Sequence, residues 1–230
     1  WRMRILVIDR STSRAGMALM DAGRAICSRV WEDDAARSPG WIAEAVRELA
    51  ACGVGLQEVG RFVCGLGPGS FSGIRSSLAA LQGMALPTGA PVCGVASAAA
   101  LALAYGMDVP RVTVVGDARR ERLWIVTYRV EPHTGRVMLA DGTRPTHTAA
   151  DFTLVPASEL ASAIPGDAFV VSSDWARLAP RLTAACPSPR LLRETVCPDA
   201  ADLGRLACAD LDACVTEPLP IYLHPAVVVR

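Results

Sequence analysis

Residues 65–77 read GLGPGSFSGIRSS, a glycine-rich turn between an apolar strand-like run at 61–66 and a helix-like run reaching residue 86. Gly67, Gly69 and Gly73 allow backbone angles that a side chain forbids, and Pro68 fixes its own φ and ends the strand. Ser70 or Ser72 can cap the following helix. Ile74, Leu78, Leu81 and Ala85 recur at helical spacing, which predicts one apolar face and a helix N-terminus aimed out of the turn. Such a terminus attracts anions. A Walker phosphate loop needs Lys and then Ser or Thr after its last glycine, whereas Ile74 and Arg75 follow Gly73. The chain has no lysine at all, which excludes a Walker ATPase, a Schiff-base enzyme and a protein kinase with its strand lysine.

Outward from this turn, short apolar runs at 5–9, 16–21 and 25–31 predict an antiparallel meander. A helix is expected over 39–51, with Ser38 as cap and Pro39 near its first position. A strand at 91–95 and a helix at 97–105 complete an order of β-β-β-α-β-α-β-α. The pattern then partly repeats, with strands at 111–116, 123–130 and 136–140, a helix near 157–163, a strand at 168–172 and a helix near 175–184. A further helix is expected over 200–214, then an extended proline-containing tail at 218–230. These expectations divide the chain into residues 1–107, a smaller repeat at 108–198, and a helix and tail at 199–230 that pack back on the core.

At 230 residues the chain can bury a large core. Its 23 Arg balance 23 Asp and Glu, so no global field draws in a polyanion. The DARRER run at 117–122 is the densest basic cluster and reads as a solvated hairpin or, alternatively, a nucleic-acid patch. None of the eight cysteines forms a C-x-x-C pair, which favours reduced, buried thiols. His133, His147 and His224 lie far apart in loop-like context, so no helical histidine pair is available for a metal. The longest weakly polar run is too short to span a bilayer and no charged-then-apolar leader opens the chain, which predicts a cytoplasmic protein with no membrane partner.

Taken together, ILVIDRSTS at 5–13, GPGSFSGIR at 67–75, PVCGVASAAALA at 91–102, GDARRERLW at 116–124 and PIYLH at 220–224 resemble, in order, the TsaB (YeaZ) family of tRNA threonylcarbamoyladenosine biosynthesis proteins. The resemblance implies a duplicated α/β fold of the actin-like, ribonuclease H-like kind, and a non-catalytic, glycoprotease-like subunit. Such subunits pair with the catalytic paralogue TsaD and the ATPase TsaE to place threonylcarbamoyl on the adenosine beside the anticodon of ANN-decoding tRNAs. By itself the chain would then be no enzyme, would carry no metal or intrinsic cofactor, would hold ATP or ADP only at the heterodimer interface, and would meet tRNA only through the complex.

The resemblance also assigns residues. In the superfamily the first hairpin of each half grips nucleotide phosphate, which points to Asp9, Ser11 and Thr12 in one half and Asp117 and Arg119 in the other as vestigial nucleotide-site candidates. Arg10 is expected to occupy or block the first phosphate turn, and VVSSDWA at 170–176 lacks the glycines that let an adenine approach. Asp9 and Asp117 read equally as hydrogen-bonded turn residues. The glycine turn is expected away from both hairpins, aiming an interface helix. The face for TsaD, or for a second copy in a homodimer, would be the helix at 39–51 and the helix after the turn. Its candidates are Trp41, Ala45, Ser70, Phe71, Ser72, Gly73, Arg75 and Ser76, with Trp41 and Phe71 as aromatic anchors or, alternatively, core. Two rival readings remain: a nucleotide-dependent phosphotransferase or hydrolase using Asp9 and Asp117, and a peptidase, for which no triad histidine stands in a suggestive context.

Overall fold

β1 (Arg4–Asp9) is buried at every position after the first, as a central strand covered on both faces must be. In the computed structural model, which describes residues 3–32, 40–186 and 189–223, β1 pairs antiparallel with β2 (Arg14–Asp21), and β2 with the edge strand β3 (Arg24–Glu32). On its other side β1 runs parallel to β4 (Val59–Gly65), and β4 to β5 (Val92–Val95). The first sheet is therefore ordered β3-β2-β1-β4-β5. α1 (Trp41–Ala51) buries Trp41, Ala45 and Leu49 at four-residue spacing and begins after Gly40, while the expected cap and proline at 38 and 39 lie outside the described residues. α2 (Phe71–Ala85) buries the predicted row Ile74, Leu78, Leu81 and Ala85.

The second sheet repeats this plan. β6 (Arg111–Asp117) pairs antiparallel with β7 (Arg122–Val130) and runs parallel to β10 (Ala168–Ser172), which runs parallel to β11 (Leu191–Thr195). The third antiparallel position is split along β7 between β8 (Val137–Leu139) and β9 (Thr153–Pro156). β9 and β11 were not expected from sequence. The predicted helix near 157–163 is one 3-10 turn followed by the four-residue α4 (Leu160–Ala163), and α5 spans Trp175–Ala185.

Two helices fill the space between the sheets. α3 (Ser97–Tyr105) packs on β6, β7 and β8, and α6 (Ala200–Ala209) packs on β1, β2 and β3 and against α3. α3 is Ala-rich and buried nearly all round, which lets the sheets approach closely. α6 ends sooner than the expected residue 214: Asp210 leaves the helical region at φ −148°, and Leu211–Ala213 form a separate 3-10 turn. The main core joins the first sheet, the two middle helices and the inner face of the second sheet. A smaller core around Val115, Leu160, Val170, Leu178 and Leu182 lies under α4 and α5.

Candidate functional site

Both hairpins, the N-terminus of α2, the start of α5 and the chain after α6 converge on one open cleft of about 1460 Å³ between the halves. Its walls include Thr12, Ser13, Phe71, Arg75, Asp117, Arg119, Trp124, Asp174, Arg177 and residues 218–223.

The glycine turn is part of this cleft, which corrects the expectation that it stands away from the hairpins. The Ser70 N–H donates to the Ser11 carbonyl at 2.7 Å. A Cβ on Gly69 would strike that same carbonyl, and one on Gly73 would strike the Arg10 carbonyl. Those two glycines are thus required by the backbone of the first hairpin lying across the start of α2. Ser70, half-buried, caps α2 by accepting from the Gly73 N–H at 3.2 Å.

Asp9 sits below the cleft floor at 1% exposure and does not line it. Its Oδ1 accepts from the Ser11 N–H at 2.8 Å and the Ser11 hydroxyl at 2.7 Å, and its Oδ2 from the Ser97 hydroxyl. Ser97 Oγ in turn accepts from the Gly67 N–H at 3.0 Å, so Asp9 ties the first hairpin, the glycine turn and α3 together. Burial pushes its pKa above the usual 3.8, against the opposing pull of the Ser97 and Ser11 hydrogen bonds. Of the two readings for Asp9, the hydrogen-bonded turn residue describes this geometry.

Arg10 does not block the phosphate turn. At 7% exposure it turns away beneath α1, with its guanidinium 4.8 Å from the Trp41 ring centre and its Nη1 donating to Ser76 Oγ at 2.8 Å. That cover corrects two interface candidates: Trp41 (5% exposed) and Ala45 (0%) are core residues, and Gly73 is also buried. Phe71, Ser72, Arg75 and Ser76 are exposed. The Arg75 guanidinium lies 4.9 Å from the Phe71 ring centre, and Phe71 stands 5.3 Å from Tyr222.

In the second hairpin Arg119, Arg120 and Glu121 all have positive φ, between 51° and 65°. Asp117 Oδ1 accepts from the Arg119 N–H at 2.7 Å, and Oδ2 lies 3.4 Å from Arg177 Nη1 and 3.6 Å from Arg119 Nη1. Asp174 completes the cluster by accepting from the Asp117 N–H at 2.9 Å and pairing with Arg177. Sequence reasoning missed Arg177 and Tyr222. Asp174 and Arg177 stand three apart at a helix start, the one signal that could have found that pair. Nothing local marks Tyr222. Thr12 is half-buried and closes its own turn through Arg14, and among the described residues no three His, Cys, Asp or Glu side chains gather as a metal set.

A family model described as "TsaD: tRNA N6-adenosine threonylcarbamoyltransferase" matches residues 35–162, more than half of the chain. The tRNA threonylcarbamoyladenosine biosynthesis protein TsaB of Escherichia coli (strain K12) is 29% identical over 137 residues, 55% of either chain, so the match spans about half the length of that relative. Among solved structures, YeaZ from Pseudomonas aeruginosa superposes with a TM-score of 0.75 at 27% identity, covering 96% of this chain and 100% of that one. A second P. aeruginosa structure, described as an uncharacterized protein with similarity to peptidase YEAZ, gives 0.77 at 26% identity with the same coverage. With the duplicated sheets, the glycine turn and these likenesses in agreement, the chain belongs to the TsaB/YeaZ family of the actin-like superfamily.

Proposed function

We propose that this chain is a non-catalytic pairing subunit in the synthesis of threonylcarbamoyladenosine on tRNA, joining a TsaD-like catalytic paralogue and a TsaE-like ATPase in the cytoplasm. The observation that carries the reading is the engagement of both hairpin carboxylates. Asp9 is buried among Ser11 and Ser97, and Asp117 is held by Arg177 and Arg119. In a working phosphate site of this superfamily, such carboxylates face a metal-bound phosphate or position water. Here both fit that task poorly, so the chain holds no nucleotide of its own, and ATP or ADP belongs at the junction with the partner. Family membership supplies the pathway, with tRNA met through the complex.

The pairing face in this reading is the exposed row Phe71, Ser72, Arg75 and Ser76 on α2, together with Ile42 and Val46 on α1. Alone, the chain would use it to form a homodimer. Co-purification with a TsaD-like paralogue, and solution mass with and without it, test the proposal. Ser72→Arg combined with Arg75→Glu is expected to abolish the complex while the fold survives. Failure to form a complex under any nucleotide condition overturns the reading. Turnover of Mg-ATP by the isolated chain, lost in Asp117→Ala, would favour the phosphotransferase or hydrolase instead.

A further inference from the structure

Arg61 on β4 is half-buried, and its Nε is fully buried with no hydrogen-bond partner. Among the described residues no carboxylate stands within ion-pairing distance of it. Its Nη1 instead points at Cys93 Sγ, 3.8 Å away on the neighbouring strand β5. A guanidinium that is partly out of water needs a counter-charge, and the group it faces is a thiol able to become a thiolate.

The Cys214 thiol also meets Cys93. The isolated antiparallel bridge between Gly94 and Val215, with its two bonds of 2.9 and 3.0 Å, puts Cys93 and Cys214 on the same side of the pairing. The Cys93 thiol reaches the Phe62 carbonyl at 3.6 Å and the Cys214 thiol the Asp210 carbonyl at 3.7 Å, and the two thiols are close enough for each to act on the other's proton. The neighbouring Cys214 thiol and the Arg61 guanidinium draw the Cys93 pKa below its ordinary 9.0, against the opposing effect of burial. A thiolate beside a thiol and under a cation is the arrangement of a reactive dithiol.

We propose that Cys93 and Cys214 form a peroxide-sensitive dithiol that closes to a reversible disulfide. The Cys93 thiolate attacks one oxygen of hydrogen peroxide, the O–O bond breaks and hydroxide leaves, giving a sulfenic acid. The Cys214 sulfur then attacks the Cys93 sulfur, its proton leaving with the displaced hydroxide as water. Two thiols lose two protons and two electrons, and one peroxide becomes two waters. Both sulfurs are nearly buried, at 1% and 5% exposure, so a small oxidant suits the site. Closure draws in only the irregular chain around Cys214. That chain continues through Val215 to residues 218–223 on the cleft wall, where the Ile221 N–H donates to the Leu66 carbonyl at 3.0 Å. The disulfide would therefore add a covalent staple to a tail that the Gly94–Val215 bridge and the Ile221–Leu66 hydrogen bond already hold against the first sheet in the reduced protein. This goes beyond the pairing role and stands whether or not that role is right.

The test treats the full chain with hydrogen peroxide at pH 7, alkylates remaining thiols under denaturing conditions and maps tryptic peptides by mass spectrometry. The expected product joins residues 76–111 to 206–230, with fragmentation placing the link at Cys93 and Cys214, reversed by dithiothreitol. Arg61→Gln should slow its formation about tenfold, because Cys93 loses the cation that stabilises its thiolate. Cys214→Ala should leave Cys93 as a trapped sulfenic acid. A link through Cys208, oxidation of other cysteines ahead of Cys93, or an unchanged rate in a folded Arg61→Gln protein would overturn the proposal.

Discussion

Replacing Asp9 separates a structural carboxylate from a phosphate-site carboxylate, because the two respond oppositely to Asn and to pH. Asp9 accepts three hydrogen bonds from Ser11 and Ser97. Hydrogen bonds to a charged group contribute about 1.5–3 kcal/mol each, so Asp9→Ala forfeits roughly 4–9 kcal/mol gross. Removing a buried charge returns several kcal/mol of desolvation, which leaves an expected net loss of about 2–4 kcal/mol. Asp9→Asn keeps an acceptor for both Ser11 donors, and Ser97 can turn its hydroxyl to accept from the new amide, so the loss should be nearer 1 kcal/mol.

The pH dependence follows from the raised pKa of Asp9. A folded-state value above the unfolded 3.8 means that its contribution is complete below 3.8 and is lost as pH rises through the folded value. Wild type therefore loses stability relative to Asp9→Asn by up to about 1.4 kcal/mol per unit across that interval. Urea unfolding followed by tryptophan fluorescence, run on wild type and both variants from pH 4 to 8, measures the differences directly. Equal losses for Ala and Asn, or an Asn deficit that grows as pH rises, would refute the reasoning. Either result would mean that the ionised carboxylate is held by something stronger than these hydroxyls and one backbone amide.

Gly69→Ala and Gly73→Ala should each cost about 1–3 kcal/mol or more, since each new methyl meets a carbonyl of the first hairpin; thermal unfolding checks this, with Gly83→Ala, in open space inside α2, as a control expected to gain about 1 kcal/mol from helix propensity. Trp41→Ala should cost about 3–5 kcal/mol in chemical denaturation, as a buried core residue does, where a surface anchor would cost little. Burial holds the His147 imidazole below its usual 6.5, with its Nδ1 accepting from the Ala96 N–H at 3.3 Å. Its contribution is complete above pH 6.5 and is lost as pH falls through the folded value, so denaturation midpoints should drop on acidification and drop less in His147→Asn.

Most of the fold was legible because the strands and helices that make the core carry strong periodicity, as in the Ile74, Leu78, Leu81, Ala85 row. β9 and β11 were not, and for the same reason. β9 is four residues ending in proline, and β11, LLRET, is an edge strand with three exposed positions and no apolar alternation. The cleft was half legible. Both hairpins could be placed from their polar turns, but which way Arg10 points depends on α1, 31 positions away at Trp41, and no local pattern encodes that choice. The glycines of the turn were read as allowing backbone angles that a side chain forbids, which holds at Gly67 with its φ of 87°; at Gly69 and Gly73 the reason is the backbone of residues 10 and 11 lying against them, a tertiary fact. The Asp117–Arg177 pair was hidden likewise by 60 residues of intervening chain.

β3 closes the first sheet on one side, and among the described residues its outer edge pairs with nothing. Nine residues of open ladder carry Ile26 and Val30 at nearly half exposure, interrupted by Arg24, Arg29 and Glu32. Those charges discourage a second edge from docking, but they act in a chain whose positive and negative groups cancel near pH 7. Long-range repulsion between molecules is therefore weakest at neutrality, where the local charges along this edge, rather than the charge of the whole, are what stand against a second edge docking there.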